Sequence, residues 1–428
     1  MNFIRDYIDK IIRWTEDLSD QQRRILLAVV LLAVSVVMGF VIYWVFFRGL
    51  IAPQGEQVNV NGELVDVAQL PDILANLNRE GVNINESILP DIDVVARGGE
   101  TFSQELYTDE AVDIVLSADG KNMQFYDPKT GQFYRINANG EVELINDKIF
   151  KGVQQVNWSN DTNKAVLQLE DGFNVMYDFE RDKQYTLHED MEEFDFSPND
   201  NQLSYKFLPG NTDEHWLGIS NIDGSGVLGI EPLGDNENLV KAKWSPSGQS
   251  IGTVEKFDGA DTKKVTPIGF KGENYKAITV QGKGFDYNWS PDGKQMLYST
   301  YSGTENYTDS LSIVDASGDA IGGNNIDLGI NTSVEKCTFN SSGSSVYCAV
   351  PTETVVGSGI GPEKLYDVPH DIYKVDLNSG VSTKIATPAD ATSGALSKGI
   401  DQVMVTDEED MLYYVESETG NIRRLLLK

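Results

Sequence analysis

The chain has 428 residues, 66 Asp and Glu against 34 Lys and Arg, and a formal net charge of -32. So acidic a chain repels phosphate backbones, which excludes nucleic-acid binding; it suits a cationic partner, a divalent metal, a salty medium or solubility alone. The length fits two or three ordinary domains or one large repeat array, and 40% hydrophobic residues is a globular proportion.

Residues 1–24 place Phe3, Ile4, Tyr7, Ile8, Ile11, Ile12, Trp14 and Leu18 at helical spacing between charged residues. The spacing predicts an amphipathic cytoplasmic helix, lying on the membrane surface or packed on a partner. Ile25–Phe47 then runs 23 residues without a charge. As a helix it spans about 34 Å, enough for a bilayer core of about 30 Å. The run is longer than the apolar core of a cleaved signal peptide and ends in aromatic residues, Tyr43-Trp44-Val45-Phe46-Phe47, which reads as an uncleaved signal anchor. Lys10, Arg13, Arg23 and Arg24 precede it and only Arg48 lies close after it. The N-terminus is therefore expected inside, with a single span and everything past about residue 50 extracytoplasmic, in the periplasm or at the cell surface.

Residues 48–100 read as a stalk, with a hairpin over Val58–Val65, a short helix over Leu70–Arg79 and extended chain over Gly81–Gly99. From residue 101 to 428 a repeat takes over. Its clearest copy is Tyr287–Thr300, YNWSPDGKQMLYST, two short strands around a Ser-Pro-Asp-Gly turn. Weaker copies begin at Leu116, Trp158, Phe196, Trp244, Phe339 and Val405, and the successive intervals are 42, 38, 48, 45, 50 and 66 residues. Each is the length of a four-stranded propeller blade. Second hairpins follow at Phe173–Tyr185, Leu217–Leu228, Leu311–Ile321 and Ile372–Ile385. The pattern predicts an all-β domain, a β-propeller of seven four-stranded blades; six or eight also fit the weak first and last copies. The last unit shows only three strands, so Phe102–Tyr107 is expected to supply its fourth and close the ring.

The WSPDG turn and its following strand resemble the repeats of TolB, and those of the propeller domains attached to prolyl oligopeptidase-type peptidases. The resemblance covers about three quarters of the chain and implies a TolB-like, WD40-like propeller. It departs from TolB in the anchor and stalk, so TolB's partners are not carried over.

Little in the chain announces catalysis. There is no G-x-S-x-G nucleophile elbow, and His188, His215 and His370 are the three histidines, far apart in sequence. Gly357-Ser358-Gly359-Ile360-Gly361-Pro362 lacks the Lys-Ser/Thr of a phosphate loop, and Asn160-Asp161 and Asn199-Asp200 lack calcium-loop spacing. No catalytic residue, metal or cofactor is expected. Cys337 and Cys348 lie symmetrically about a turn at Ser342-Gly343, which sets them opposite each other and predicts a disulfide.

Successive blades of this kind put their a–b and c–d turns on one face and their b–c loops on the other. The longer insertions, Leu208–His215, Phe257–Lys263, Tyr301–Thr308 and Pro351–His370, all fall on the b–c face. With their flanks they carry Asp213, Glu214, Trp216, Asp258, Asp261, Tyr301, Glu305, Tyr307, Glu363 and Tyr366. Carboxylates mixed with aromatic rings suit a basic protein segment or a sugar. The expected function is a non-catalytic binding or scaffold module for a protein or glycan partner in the envelope, within a membrane-spanning assembly. The alternatives are an envelope enzyme, a glycan hydrolase or lyase with its site in the propeller funnel, or a ligand sensor.

Overall fold

The computed structural model describes residues 57–60, 63–66, 92–390 and 394–428. The amphipathic and 23-residue apolar segments lie outside these, and among the described residues no helix is long and apolar enough to cross a membrane. Gln57–Val60 and Glu63–Asp66 pair as an antiparallel hairpin in a first unit, Met1–Ile88. The second unit, Leu89–Lys428, is a seven-bladed β-propeller.

Strands a to d of the first blade are Val112–Leu116, Met123–Asp127, Gln132–Ile136 and Val142–Leu144; those of the second are Val153–Trp158, Lys164–Leu169, Asn174–Asp178 and Lys183–Leu187. The third has Met191–Phe196, Gln202–Phe207, Trp216–Asn221 and Leu228–Pro232, and the fourth Val240–Ala242, Gly252–Phe257, Thr262–Ile268 and Ile278–Gln281. In the fifth they are Lys283–Trp289, Gln295–Tyr301, Asp309–Asp315 and Ile326–Asp327, and in the sixth Cys337–Phe339, Ser345–Pro351, His370–Asp376 and Val381–Ala389. The seventh takes strands a to c from Ile400–Val405, Met411–Glu416 and Ile422–Leu426, and its fourth from the beginning of the domain, Gln104–Tyr107.

Alternation along these strands buries one face of each blade on the blade before it and the other on the blade after it. The hydrophobic clusters are accordingly shared. Tyr126 and Phe133 of the first blade pack on Val156, Leu167 and Tyr177 of the second, and Val166 and Met176 of the second pack on Phe194, Phe196 and Tyr205 of the third. The series continues round to Met404, Tyr413 and Ile422 of the seventh against Ile114, Phe125 and Ile136 of the first. Each fully buried side chain of this size contributes about 1.5–3 kcal/mol, and here that gain needs a neighbouring blade.

The a–b turns are built on one plan. Ser290 Oγ accepts the amide of Gln295 at 3.0 Å and donates to Asp292 Oδ1 at 2.8 Å. Four residues after the repeat's aromatic or aliphatic residue, all seven turns hold a left-handed φ: Gly120 66°, Thr162 53°, Asp200 54°, Gly248 72°, Gly293 66°, Gly343 69° and Glu409 51°. Glycine adopts this freely, whereas a side chain there costs on the order of 1 kcal/mol or more. At Gly293 a Cβ would lie 2.5 Å from the Ser247 amide nitrogen of the preceding turn. The three non-glycine residues instead bond the preceding blade. Thr162 Oγ1 accepts from the Ala118 amide at 3.4 Å. Asp200 accepts from the amides of Asn160 and Asp161, both at 2.9 Å. Glu409 accepts from Lys374 at 2.5 Å, Asn340 at 3.0 Å and the Tyr347 hydroxyl.

Closure involves more of the N-terminal segment than the repeat predicts. Gln104–Tyr107 pairs antiparallel with the last strand, while Glu100–Phe102 runs parallel to the outer strand of the sixth blade, so one segment latches two blades. Asp93 and Val95 bridge to Thr101 and Leu426, so chain expected as stalk belongs to the propeller unit. Arg423, 9% exposed, donates to Ser103 and pairs with Glu105 at 3.5 Å, Asp390 at 3.4 Å and Glu416 at 3.3 Å. Two further expectations are corrected. Phe257–Lys263 is not a long insertion, because Phe257 and Lys263 are paired and only four residues turn between the strands. Strand d of the fifth blade is Ile326–Asp327, since Gly318–Ala320 forms a 3-10 turn where the second hairpin was expected to return.

Two predictions follow from this closure. Deleting residues 100–107 removes both latches and is expected to abolish cooperative thermal unfolding; calorimetry showing a transition as sharp as the parent's overturns it. Burial opposes ionisation of Glu409, but hydrogen bonds from Lys374, Tyr347 and Asn340 outweigh it and hold the carboxyl at about 2. A folded value below the ordinary 4.5 means its stabilisation is complete above the unfolded value and lost as pH falls through about 2. Glu409→Gln is expected to cost on the order of 1 kcal/mol at pH 7, allowing for solvent screening, and to flatten the acid limb of stability in denaturant titrations between pH 2 and 5.

Candidate functional site

The structure separates the ten loop residues into groups. Asp213 and Glu214 sit in an exposed 3-10 turn capped by Asn211, which accepts from the Asp213 amide at 3.3 Å and donates to Glu214 at 3.2 Å. Trp216 opens strand c of the third blade opposite Phe207, and with Tyr205, Gly218 and Leu228 it lines an apolar hollow of ≈ 330 Å³. Asp258 pairs with Lys264 at 3.0 Å. Tyr307 and Tyr366 are exposed, and Glu363 lies in the 3-10 turn Pro362–Leu365. The glycine-rich segment packs against the fifth-blade loop: Gly359 donates to Tyr307 O at 2.9 Å, and a Cβ there would lie 2.7 Å from Tyr301 Cβ.

Three of the ten residues meet. Asp261, Tyr301 and Glu305 line one cleft of ≈ 600 Å³ between the fourth and fifth blades. Asp261 pairs at its edge with Lys283 at 3.7 Å. Cys337 and Cys348 are opposed across strands a and b of the sixth blade with Cα atoms 4.1 Å apart, and they are joined by a disulfide.

A second site escaped the sequence reading. At the turn-face mouth of the central channel, a cavity of ≈ 370 Å³ is lined by Asp195, Lys243, Asn288 and Thr338, with Asn160, Trp244 and Trp289. The first four each precede the repeat's aromatic residue. That residue turns into the blade core, so its predecessor, on strand a or just past its end, faces the channel. The signal was the variability of this one position, Asn157, Asp195, Lys243, Asn288 and Thr338 in successive blades.

The channel wall carries charge. Lys243 Nζ donates to Tyr287 O at 2.6 Å and Asn288 Oδ1 at 2.7 Å, and burial pulls its ammonium below the ordinary range against the pull of Asp286 and Asp195. Burial pushes the Asp195 carboxyl up to about 6, opposed by the Trp244 amide, Lys243 and the Phe196 amide. Deeper along the wall, Lys241 pairs with Asp286 at 2.6 Å and Lys336 with Asp401 at 3.3 Å.

The histidines do not converge. His215 bonds Pro209 O and Gly234 O, and His188 is exposed beside Asp190. His370 is fully buried with Nδ1 on Val368 O, and burial lowers it to about 4. Among the described residues no group of three or more His, Cys, Asp or Glu is placed to hold a metal ion.

Asp195 is expected to titrate near pH 6 in carboxyl-detected NMR. Lys243→Met, which removes the neighbouring cation, is expected to raise it further; a value near 4 in both proteins contradicts this account of the channel mouth.

No protein-family model and no curated protein matches the chain. Among solved structures, an oligogalacturonate lyase from Vibrio parahaemolyticus is 13% identical, covering 78% of this chain and 92% of its own, with a TM-score of 0.48. A β-propeller domain from Myceliophteria thermophila is 12% identical over 76% of this chain and all 100% of its own, at 0.48. The tricorn protease is 11% identical over 76% of this chain and 34% of its own, at 0.49. Likenesses of this degree transfer no site and no activity.

Proposed function

We propose that the chain is a membrane-anchored, TolB-like propeller that works outside the membrane as a non-catalytic binding and scaffold module for an envelope partner, within a membrane-spanning assembly. The observation that carries this reading is the b–c face of the fourth to sixth blades. Phe257, Tyr307, Val356, Ile360 and Tyr366 are all exposed there. Apolar side chains standing out of a highly charged domain mark a partner surface, and the surrounding Asp258, Glu305 and Glu363 give it an acidic rim. The anchor rests on the uncharged run Ile25–Phe47, and the assembly on the amphipathic segment before it.

The second reading, an envelope enzyme, draws on Asp195 and Lys243 at the channel mouth, since a carboxyl brought near neutrality beside a lysine in a cavity is a common acid–base arrangement. It predicts turnover of a glycan or peptide that Asp195→Asn abolishes.

A photo-crosslinking residue placed at Phe257 or Tyr307 in native membranes is expected to capture one discrete heterologous species, and the same residue at Ser342 on the turn face to capture none. Adducts from Ser342 alone, or from no position, overturn the loop-face assignment.

A further inference from the structure

The cleft between the fourth and fifth blades has a floor unlike its counterpart elsewhere in the ring. On strands b, c and d of the fifth blade, Tyr298 stands opposite Ser312, which stands opposite Asp327, and Thr300 stands opposite Ser310. Residues paired across strands or two apart share a face, so all five project together, and each ends in a hydroxyl or a carboxylate.

Nine and eleven residues after the repeat's aromatic residue, the third blade has Tyr205 and Phe207, facing Gly218 and Trp216. The equivalent hollow there is apolar. The fifth blade keeps the tyrosine, as Tyr298, and replaces Phe207, Gly218 and Trp216 with Thr300, Ser312 and Ser310.

Several of these groups are unspent. Thr300 is 7% exposed and lines the cleft. Among the described residues its hydroxyl, that of Ser310 and the carboxylate of Glu305 make no hydrogen bond or ion pair. These groups meet solvent in the cleft and are free to bond a ligand there in its place. Gly282 packs its backbone closely against Thr300 at the cleft wall, where a Cβ would lie 2.9 Å from Thr300 Cβ.

The lining selects among ligands. Asp261, Glu305 and Asp327 repel anions, while a simple cation would use those carboxylates and leave the hydroxyl donors idle. Hydroxyls that both donate and accept, carboxylates that take pairs of adjacent hydroxyls, and the ring of Tyr301 beside them match a polyhydroxylated ring with apolar C–H faces. At ≈ 600 Å³ the cleft falls within the usual range of small-ligand sites.

We propose that this cleft binds a neutral saccharide unit of an envelope glycan, an assignment that rests on reading the loop face as a binding surface. The test is saturation-transfer NMR on the full-length protein with maltose, cellobiose and N,N'-diacetylchitobiose as probes, and with digalacturonate and trilysine as comparisons.

At least one neutral disaccharide is expected to bind at millimolar concentration or below, and digalacturonate is expected not to. The near-isosteric pair Thr300→Val and Ser310→Ala is expected to weaken binding at least tenfold while leaving the melting profile intact, and Ser342→Ala, on the turn face, to leave binding unchanged. The proposal is overturned if no neutral disaccharide binds, if only trilysine does, or if the paired variant binds as tightly as the parent. Failure here with the Tyr307 crosslink retained removes the saccharide but not the binding module; loss of both removes the module as well.

Discussion

Everything in the propeller depends on the fact that no blade owns a core. Each hydrophobic cluster is shared by two neighbours, so a blade with one neighbour missing exposes a face of Leu, Ile, Tyr and Phe side chains to water. A row of such sheets is stable only if its ends meet. The chain meets this requirement by sending residues 100–107 to the last two blades, with the nearly buried Arg423 fastening Ser103 and Glu105 to the C-terminal strand. Buried guanidinium groups are tolerated where several acceptors surround them, and Arg423 has three carboxylates and a serine in reach.

The a–b turns show how one backbone constraint is met in two ways. All seven need a left-handed residue at the same place. Where the preceding turn crowds close, as Ser247 does at Gly293 and Asp407 at Gly120, glycine admits the approach. Where the residue carries a side chain, backbone strain is exchanged for a bond to the preceding blade, as at Thr162, Asp200 and Glu409. Packing and strain are thus coupled at the turn face, which leaves it little freedom to vary.

Much of this was legible in the sequence because the repeat is a direct image of local physics. An aromatic residue followed by Ser, a turn residue and Gly marks strand a, the turn and strand b, and the spacing gives seven blades. What was not legible lay beyond one repeat. Glu100–Phe102 is three residues long and pairs parallel with a strand some 280 positions later, so no local pattern announces it. The channel charges Asp195 and Lys243 sat in plain view before Phe196 and Trp244, but their meaning needs the ring, which brings residues of five blades to one cavity. Loop length was a poorer guide: it overrated Phe257–Lys263, and of ten residues chosen on that ground only Asp261, Tyr301 and Glu305 share a cavity.

The repeats therefore divide their labour by position rather than by blade. The aromatic or aliphatic position and the left-handed turn position answer to closure, and the turn position carries a side chain only where that side chain bonds the preceding blade. The positions that face the channel, and those eleven residues after the repeat's aromatic residue, answer to no such demand. Blade interfaces are filled from the inner ends of the strands, and the outer ends leave open clefts whose lining is free to differ. One cleft has become aromatic and apolar around Trp216, another polar around Thr300. A ring that fixes its scaffold so tightly can change the chemistry of one cleft without disturbing the other, because the two share no lining residue. That separation lets one rigid propeller carry chemically distinct clefts.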